Sequence, residues 1–216
     1  MKQSPVYNRT EALQSKLNSF FYSITHENRD YFSNLSNNEL IRLKSVLTDV
    51  NNILTLKATF AFALWMVNFF DLPPSVGETL LEKVNRTKPN TNGFDIELPE
   101  EKIVAEIKCI IPINGGNYFG QAQKNAILDD AIKLTNGKRS IPDTTDYFKI
   151  IGLVDLGERT DLAIKDLLVE VKNMSTSDKK RQERHAIVKN LVFLDDNLMN
   201  LDDLTSHHVF IKPIII

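Results

Sequence analysis

From Ile103 to Ile111 the chain reads Ile-Val-Ala-Glu-Ile-Lys-Cys-Ile-Ile, an apolar run broken by only two charged residues, Glu106 and Lys108. A short run this rich in β-branched residues is a strand, here over 102–111, and one that is apolar on both faces belongs in the middle of a sheet. Charged side chains are rare at such a place unless they are paired or bound to a metal. The fold must therefore bury or half-bury a carboxylate and an ammonium on one strand and compensate both.

Side chains alternate along a strand, so Ile103, Ala105, Ile107 and Cys109 share one face, and Val104, Glu106, Lys108 and Ile110 the other. Glu106 and Lys108 then point the same way, roughly 7 Å apart. Upstream, Phe94–Leu98 reads as a partner strand in which Phe94, Ile96 and Leu98 oppose Asp95 and Glu97. Pro99, Glu100 and Glu101 supply the turn of a hairpin. A suitable register brings Asp95 to Glu106 and Lys108 on one polar face.

The elements around the hairpin order the chain. Residues 10–27 carry Leu13, Leu17, Phe20, Phe21 and Ile24 at helical spacing. A second helix starts near Asn37, with Leu40, Leu43, Leu47 and Val50 as its buried stripe, and a third runs from about Ile53 to Phe70. Asp71-Leu72-Pro73-Pro74 ends it. The apolar segment Ala58–Phe70, bounded by Lys57 and Asp71, is too short to cross a bilayer and reads as a buried core helix.

Gly77–Val84 reads as a short helix carrying Glu78 and Glu82, and residues 87–93 as a loop. After the hairpin come a helix over about 118–134 closed by Gly137, a strand over 147–156 and a helix over 161–171. Residues 172–183 read as a charged mobile loop, and 190–194 and 208–216 as late strands. The expected fold is mixed α/β, with an all-helical N-terminal part over 1–72 packed on a core over 73–216.

Composition narrows the compartment and the partners. Cys109 is the single cysteine, which excludes a disulfide within the chain and a zinc site built from cysteines. A reducing cytoplasm is the simplest location, and the N-terminal residues lack the apolar segment of a secretory signal. A formal net charge of -2 gives no global basic field, which counts only mildly against a nucleic-acid partner. His26, His185, His207 and His208 are scattered without metal-ligand spacing and read as structural. No phosphate-binding glycine loop and no nucleophile elbow is present.

An acid, a gap and then Glu-x-Lys suits phosphodiester hydrolysis. Two carboxylates can hold a hard divalent cation such as Mg²⁺. The cation lowers the pKa of a bound water and polarises the phosphoryl oxygen. A neighbouring lysine orients the water or steadies the transition state.

With Asp95 on the first strand and Glu106-Ile107-Lys108 on the second, residues 76–156 resemble the PD-(D/E)xK nuclease superfamily. The order of elements resembles its core too, although the third strand of its meander is not obvious: either the strand over 102–111 bends or a very short one follows near Ile113. Phe94 stands where the motif has proline. The resemblance implies a restriction-endonuclease-like core, a mixed central sheet flanked by helices, with an all-helical N-terminal extension. It implies catalytic roles for Asp95, Glu106, Lys108 and Gln121, and metal ligation by Asp95 and Glu106.

An acid on the preceding helix, Glu82 or else Glu78, would be a third ligand. Mg²⁺ is the implied cofactor, with Mn²⁺ able to substitute. A compact chain without helicase or ATPase motifs is most similar to a type II restriction endonuclease, a homodimer acting on double-stranded DNA. The DNA contacts would come from Asn117, Lys124, Lys180, Arg181 and Arg184, in the loops around 114–118 and 172–184 and on the helix between. The apolar 58–70 segment could contribute to the dimer or be internal core. Two other functions compete: a structure-specific repair or mobile-element nuclease, and a non-catalytic nucleic-acid- or protein-binding module.

Overall fold

The computed structural model describes residues 7–87, 92–113, 116–169, 178–194 and 205–216. The chain divides into two compact units, the first ending at Val50 and the second starting at Asn51. The apolar second half of the long helix belongs to the larger unit.

In the first unit, α1 (Arg9–Thr25) is capped by Asn8, whose side chain accepts from the Thr10 and Glu11 amides. A short α2 (Tyr31–Asn34), absent from the sequence reading, starts at Asp30. Asp30 ties α2 to α1 by accepting from Gln14 at 3.1 Å and Asn18 at 2.9 Å, and Phe21 stacks on Tyr31. These side-chain bonds hold Asp30 at a pKa of about 2, through Ser33 first and Asn18 next.

The helices expected on either side of residue 51 form one, α3 (Asn37–Phe69). Ser36 and Glu39 close a capping box at its start, and no glycine or proline interrupts the helix from there to its end. By length and composition α3 could cross a membrane, whereas the 58–70 segment considered alone could not. Its buried residues Ala58, Phe62, Ala63 and Met66 lie in a core against the sheet, as a core helix requires.

The sheet organises the second unit. Its strands are β1 (Ile96–Leu98), β2 (Ile103–Lys108), β3 (Phe148–Val154), β4 (Leu191–Phe193) and β5 (Val209–Ile214), in the order β1-β2-β3-β5-β4. β1 is antiparallel to β2, while β2, β3, β5 and β4 run parallel. A parallel pair needs a crossover, and α5 (Gln121–Asn136) provides it between β2 and β3. The architecture is therefore mixed α/β, with a five-stranded mixed sheet flanked by helices. Among the described residues no further strand lies between β2 and α5; β2 stops at Lys108, and the Ile111 carbonyl accepts from Gln123 of α5 instead of from a ladder.

Two apolar cores follow from strand alternation. One face packs Ile96, Ile103, Ala105, Ile107, Ile150 and Phe210 against α3 and α4 (Pro74–Arg86). The other packs Val104, Ile151, Leu153 and Ile211 against α5, α6 (Glu158–Leu167) and α7 (Lys179–Val188). Pro73 and Pro74 both end the preceding helical run and open α4, where a missing amide costs nothing.

The helix α7 corrects the reading of a charged loop up to residue 183. Asp178 caps it by accepting from the Arg181 amide, and Ile187 anchors it. Residues 172–177 of that expected loop lie outside the described residues.

Gly152 lets α3 approach the sheet. A β-carbon there would lie 2.7 Å from Phe62 Cδ2 and 3.3 Å from Ile107 Cδ1. Gly152→Ala should destabilise the protein by about 1–3 kcal/mol in urea unfolding, through overpacking. Combining it with Phe62→Leu should cost less than the sum of the two single changes, since both act on one contact.

Candidate functional site

The β1–β2 register pairs Ile96 with Ala105, so the next residue outward, Asp95, stands opposite Glu106. Asp95 is exposed and lies just outside β1, and its Oδ2 accepts from the Ile107 amide at 2.7 Å. Glu106 is 5% exposed on the sheet face covered by α5. An accessible carboxylate therefore sits beside an inaccessible one.

Residues from α5 and the turn after it complete a charged cluster. The Lys108 ammonium lies 2.5 Å from Asp130 Oδ2, and Lys133 lies 2.7 Å from Asp130 Oδ1. Asp130 itself is buried. Lys138 ion-pairs with Glu106, donates to the Gly93 carbonyl at 2.7 Å and sits over the Phe94 ring. Glu106 Oε1 and Asp130 Oδ2 are buried and meet the Lys138 and Lys108 ammoniums as ion pairs.

The turn that delivers Lys138 depends on Gly137. The residue has φ 81 and ψ 170, a positive-φ conformation with extended ψ. A side chain there would overlap the Pro142 carbonyl.

The cluster shifts the titration of Glu106. Burial, and next the nearby Asp95 charge, push its carboxyl from an ordinary 4.5 up to about 7, while Lys138 pulls the other way. Asp130 adds to the upward push. On Lys133 the hydrogen bond to Asp130 is the largest influence and holds its pKa up.

The other expected site residues lie elsewhere. Glu82 is exposed on α4 and ion-pairs with Arg86 at 2.6 Å; α4 packs against the sheet face opposite Glu106. Glu78 is exposed on the same helix. Among the described residues no three His, Cys, Asp or Glu side chains gather as a metal-binding group, so the carboxylates at the hairpin form a pair. Gln121 opens α5 and bonds Asn125 at 3.0 Å, while Gln123 reaches back to accept from the amide of Gly120, the N-cap, at 2.9 Å. Cys109 is half-buried beside the core that holds Ile107, and burial raises its thiol pKa.

Three of the expected DNA-contacting cations are paired with acids. Arg184 forks onto Asp129 at 2.6 and 2.7 Å, Lys180 joins it at 3.2 Å, and Lys124 meets Asp166 at 2.6 Å. Lys124, Arg181 and Arg184 line a cleft of 640 Å³ between α5, α6 and α7, together with Gln121 and His185. Asn117 is exposed in the loop before α5, and its neighbours Asn114 and Gly115 lie outside the described residues.

Sequence reasoning missed Asp129, Asp130, Lys133 and Lys138. Asp130 left a signal, since it is three residues after Ile127 and four before Leu134, on the buried stripe of α5. Lys138 left none, because its approach to Glu106 is a tertiary contact made by a turn.

No known protein family, curated protein or solved structure matches the chain.

Glu106 gives the site a measurable signature. Its folded pKa lies above its unfolded one, so the folded state holds the extra proton between about pH 4.5 and 7 and loses stability as pH rises through that window. The loss should be on the order of 3 kcal/mol. Urea unfolding at the two ends of the window should show it, and Glu106→Gln should remove that part of the slope.

Proposed function

We propose that this chain is a Mg²⁺-dependent endonuclease that hydrolyses phosphodiester bonds in double-stranded DNA. The observation that carries the reading is the accessible Asp95 beside the buried Glu106 across an antiparallel hairpin, with Lys108 on the same strand face. The hairpin is followed by a crossover helix and a parallel strand, an order that resembles the PD-(D/E)xK core.

The donor set fits a hard cation. Two neighbouring carboxylates, one of them buried, resist being ionised together, and a divalent ion between them would favour both anions. Asp95 and Glu106 would hold it, and it would supply Lewis-acid polarisation and a more acidic bound water. Glu106 presents a fixed carboxylate, held by the strand and by Lys138. Lys108, 29% exposed, reaches the solvent edge and can meet a phosphate oxygen once it leaves Asp130. The cleft with Gln121, Lys124 and Arg181 suits the approaching backbone. The finer reading is a restriction-type enzyme that works as a homodimer in the cytoplasm.

One observation favours a second reading. Lys108 and Lys133 satisfy Asp130, and Lys138 satisfies Glu106, so the cluster is compensated internally and could serve only to bind α5 to the sheet. Incubation with unmethylated phage DNA in Mg²⁺ or EDTA separates the two. Discrete Mg²⁺-dependent bands, weakened at least about 100-fold by Lys108→Ala or Glu106→Gln, are expected. A smear or cutting confined to branched DNA would indicate a structure-specific nuclease. No cleavage, with a melting temperature indifferent to Mg²⁺ and Mn²⁺, would establish the structural reading.

A further inference from the structure

Between Tyr7 and Val50 no residue is buried, although the segment is helical throughout much of its length. Leu13, Phe20, Ile24, Ile41, Leu47 and Val50 are 41–66% exposed. The stripe Leu40, Leu43, Leu47 and Val50, expected from sequence to be buried, is half-buried at its first two positions and open at its last two. A helical unit with this much apolar surface and no core of its own gains stability when another surface covers it.

We propose that this unit forms its core with the same unit of a second copy of the chain, with Leu40, Leu43, Leu47 and Val50 as a parallel two-helix seam. The spacing of three, four and three residues places these side chains at the a and d positions of a heptad, and Leu54 continues it. The flanks specify the occupant. With Leu40 at position a, Glu39 falls at g and Lys44 at e, and in a parallel pair the g residue of one helix faces the e residue five positions on in the other. Glu39 of each copy would meet Lys44 of its mate, adding to the bond Glu39 already makes at Ser36.

The unit as a whole is also self-compatible. Residues 7–50 hold five basic and five acidic side chains, so two copies do not repel. The same balance lacks the excess of lysine and arginine that draws a helix to anionic lipid. Glu39, Arg42, Lys44 and Asp49 on α3 make hydrocarbon a costly environment for this part of the helix.

Sedimentation equilibrium of the full chain over roughly 1–100 µM tests the proposal. A dimer is expected, weakened at least about tenfold by Leu47→Glu with Val50→Glu and to a lesser degree by Lys44→Glu. Both apolar positions are exposed, so urea unfolding of the sheet unit should be unchanged and would reveal a variant that simply fails to fold. Leu40→Cys in a Cys109→Ser background should cross-link between copies on oxidation, because only the parallel arrangement brings the two position-40 side chains together. A monomer throughout, a dimer indifferent to the Glu substitutions, or no cross-link would overturn the proposal. So would recovery of a monomeric chain on phosphatidylcholine vesicles, which would make a bilayer the occupant.

Discussion

The second unit is organised around a carboxylate held inside its sheet. Glu106 sits on the strand between β1 and β3, where an unpaired charge would be prohibitive, and the surrounding elements converge to compensate it. The turn after α5 brings Lys138 to it, which requires the positive φ of Gly137. The α5 helix brings Asp130, which turns Lys108 away from a simple pairing with Glu106. The result is a set of ion pairs that joins β2, α5 and the following turn, with the hairpin acid Asp95 left open to solvent. The same arrangement that stabilises the sheet also holds one carboxyl near neutrality beside another carboxylate, a combination suited to binding a cation.

The two faces of the sheet solve different problems. On one, Gly152 permits Phe62 of α3 to press directly on the strands, and the contact is purely apolar. On the other, α5 covers the sheet while carrying an acid on its buried side, so this face mixes packing with charge compensation. The proposed site at the hairpin belongs to the mixed face. The cations expected to greet DNA are partly engaged there as well: Asp129 holds Arg184 and Lys180, and hydrogen bonding to Arg184 is the main reason its pKa is lowered. Arg184 and Lys180 thus join α7 to α5.

The helical N-terminal unit contrasts with this. Its local structure is well specified, by the Asn8 cap, the Asp30 bonds and the Ser36–Glu39 box, yet none of these produces a core. Local capping determines where helices begin, whereas stability comes from buried apolar area, and residues 7–50 form no core among themselves.

Much of the fold was legible in the sequence because its signals are periodic and local. Alternation along Ile103–Lys108 placed Glu106 and Lys108 on one face, and the hairpin, the crossover helix and the two late strands follow from similar patterns. The α7 helix was hidden because a single anchor, Ile187, and ion pairs to Asp129 replace an apolar stripe. The joining of two expected helices into α3 reflects the absence of any breaker near Asn51. By itself, then, the sequence determined the sheet-forming segments and the faces of the two hairpin strands, while the strand register set Asp95 opposite Glu106. Only the tertiary structure decided which charge answers which, sending Lys108 to Asp130 and Lys138 to Glu106, because ion pairing depends on where a helix and a turn come to rest in space.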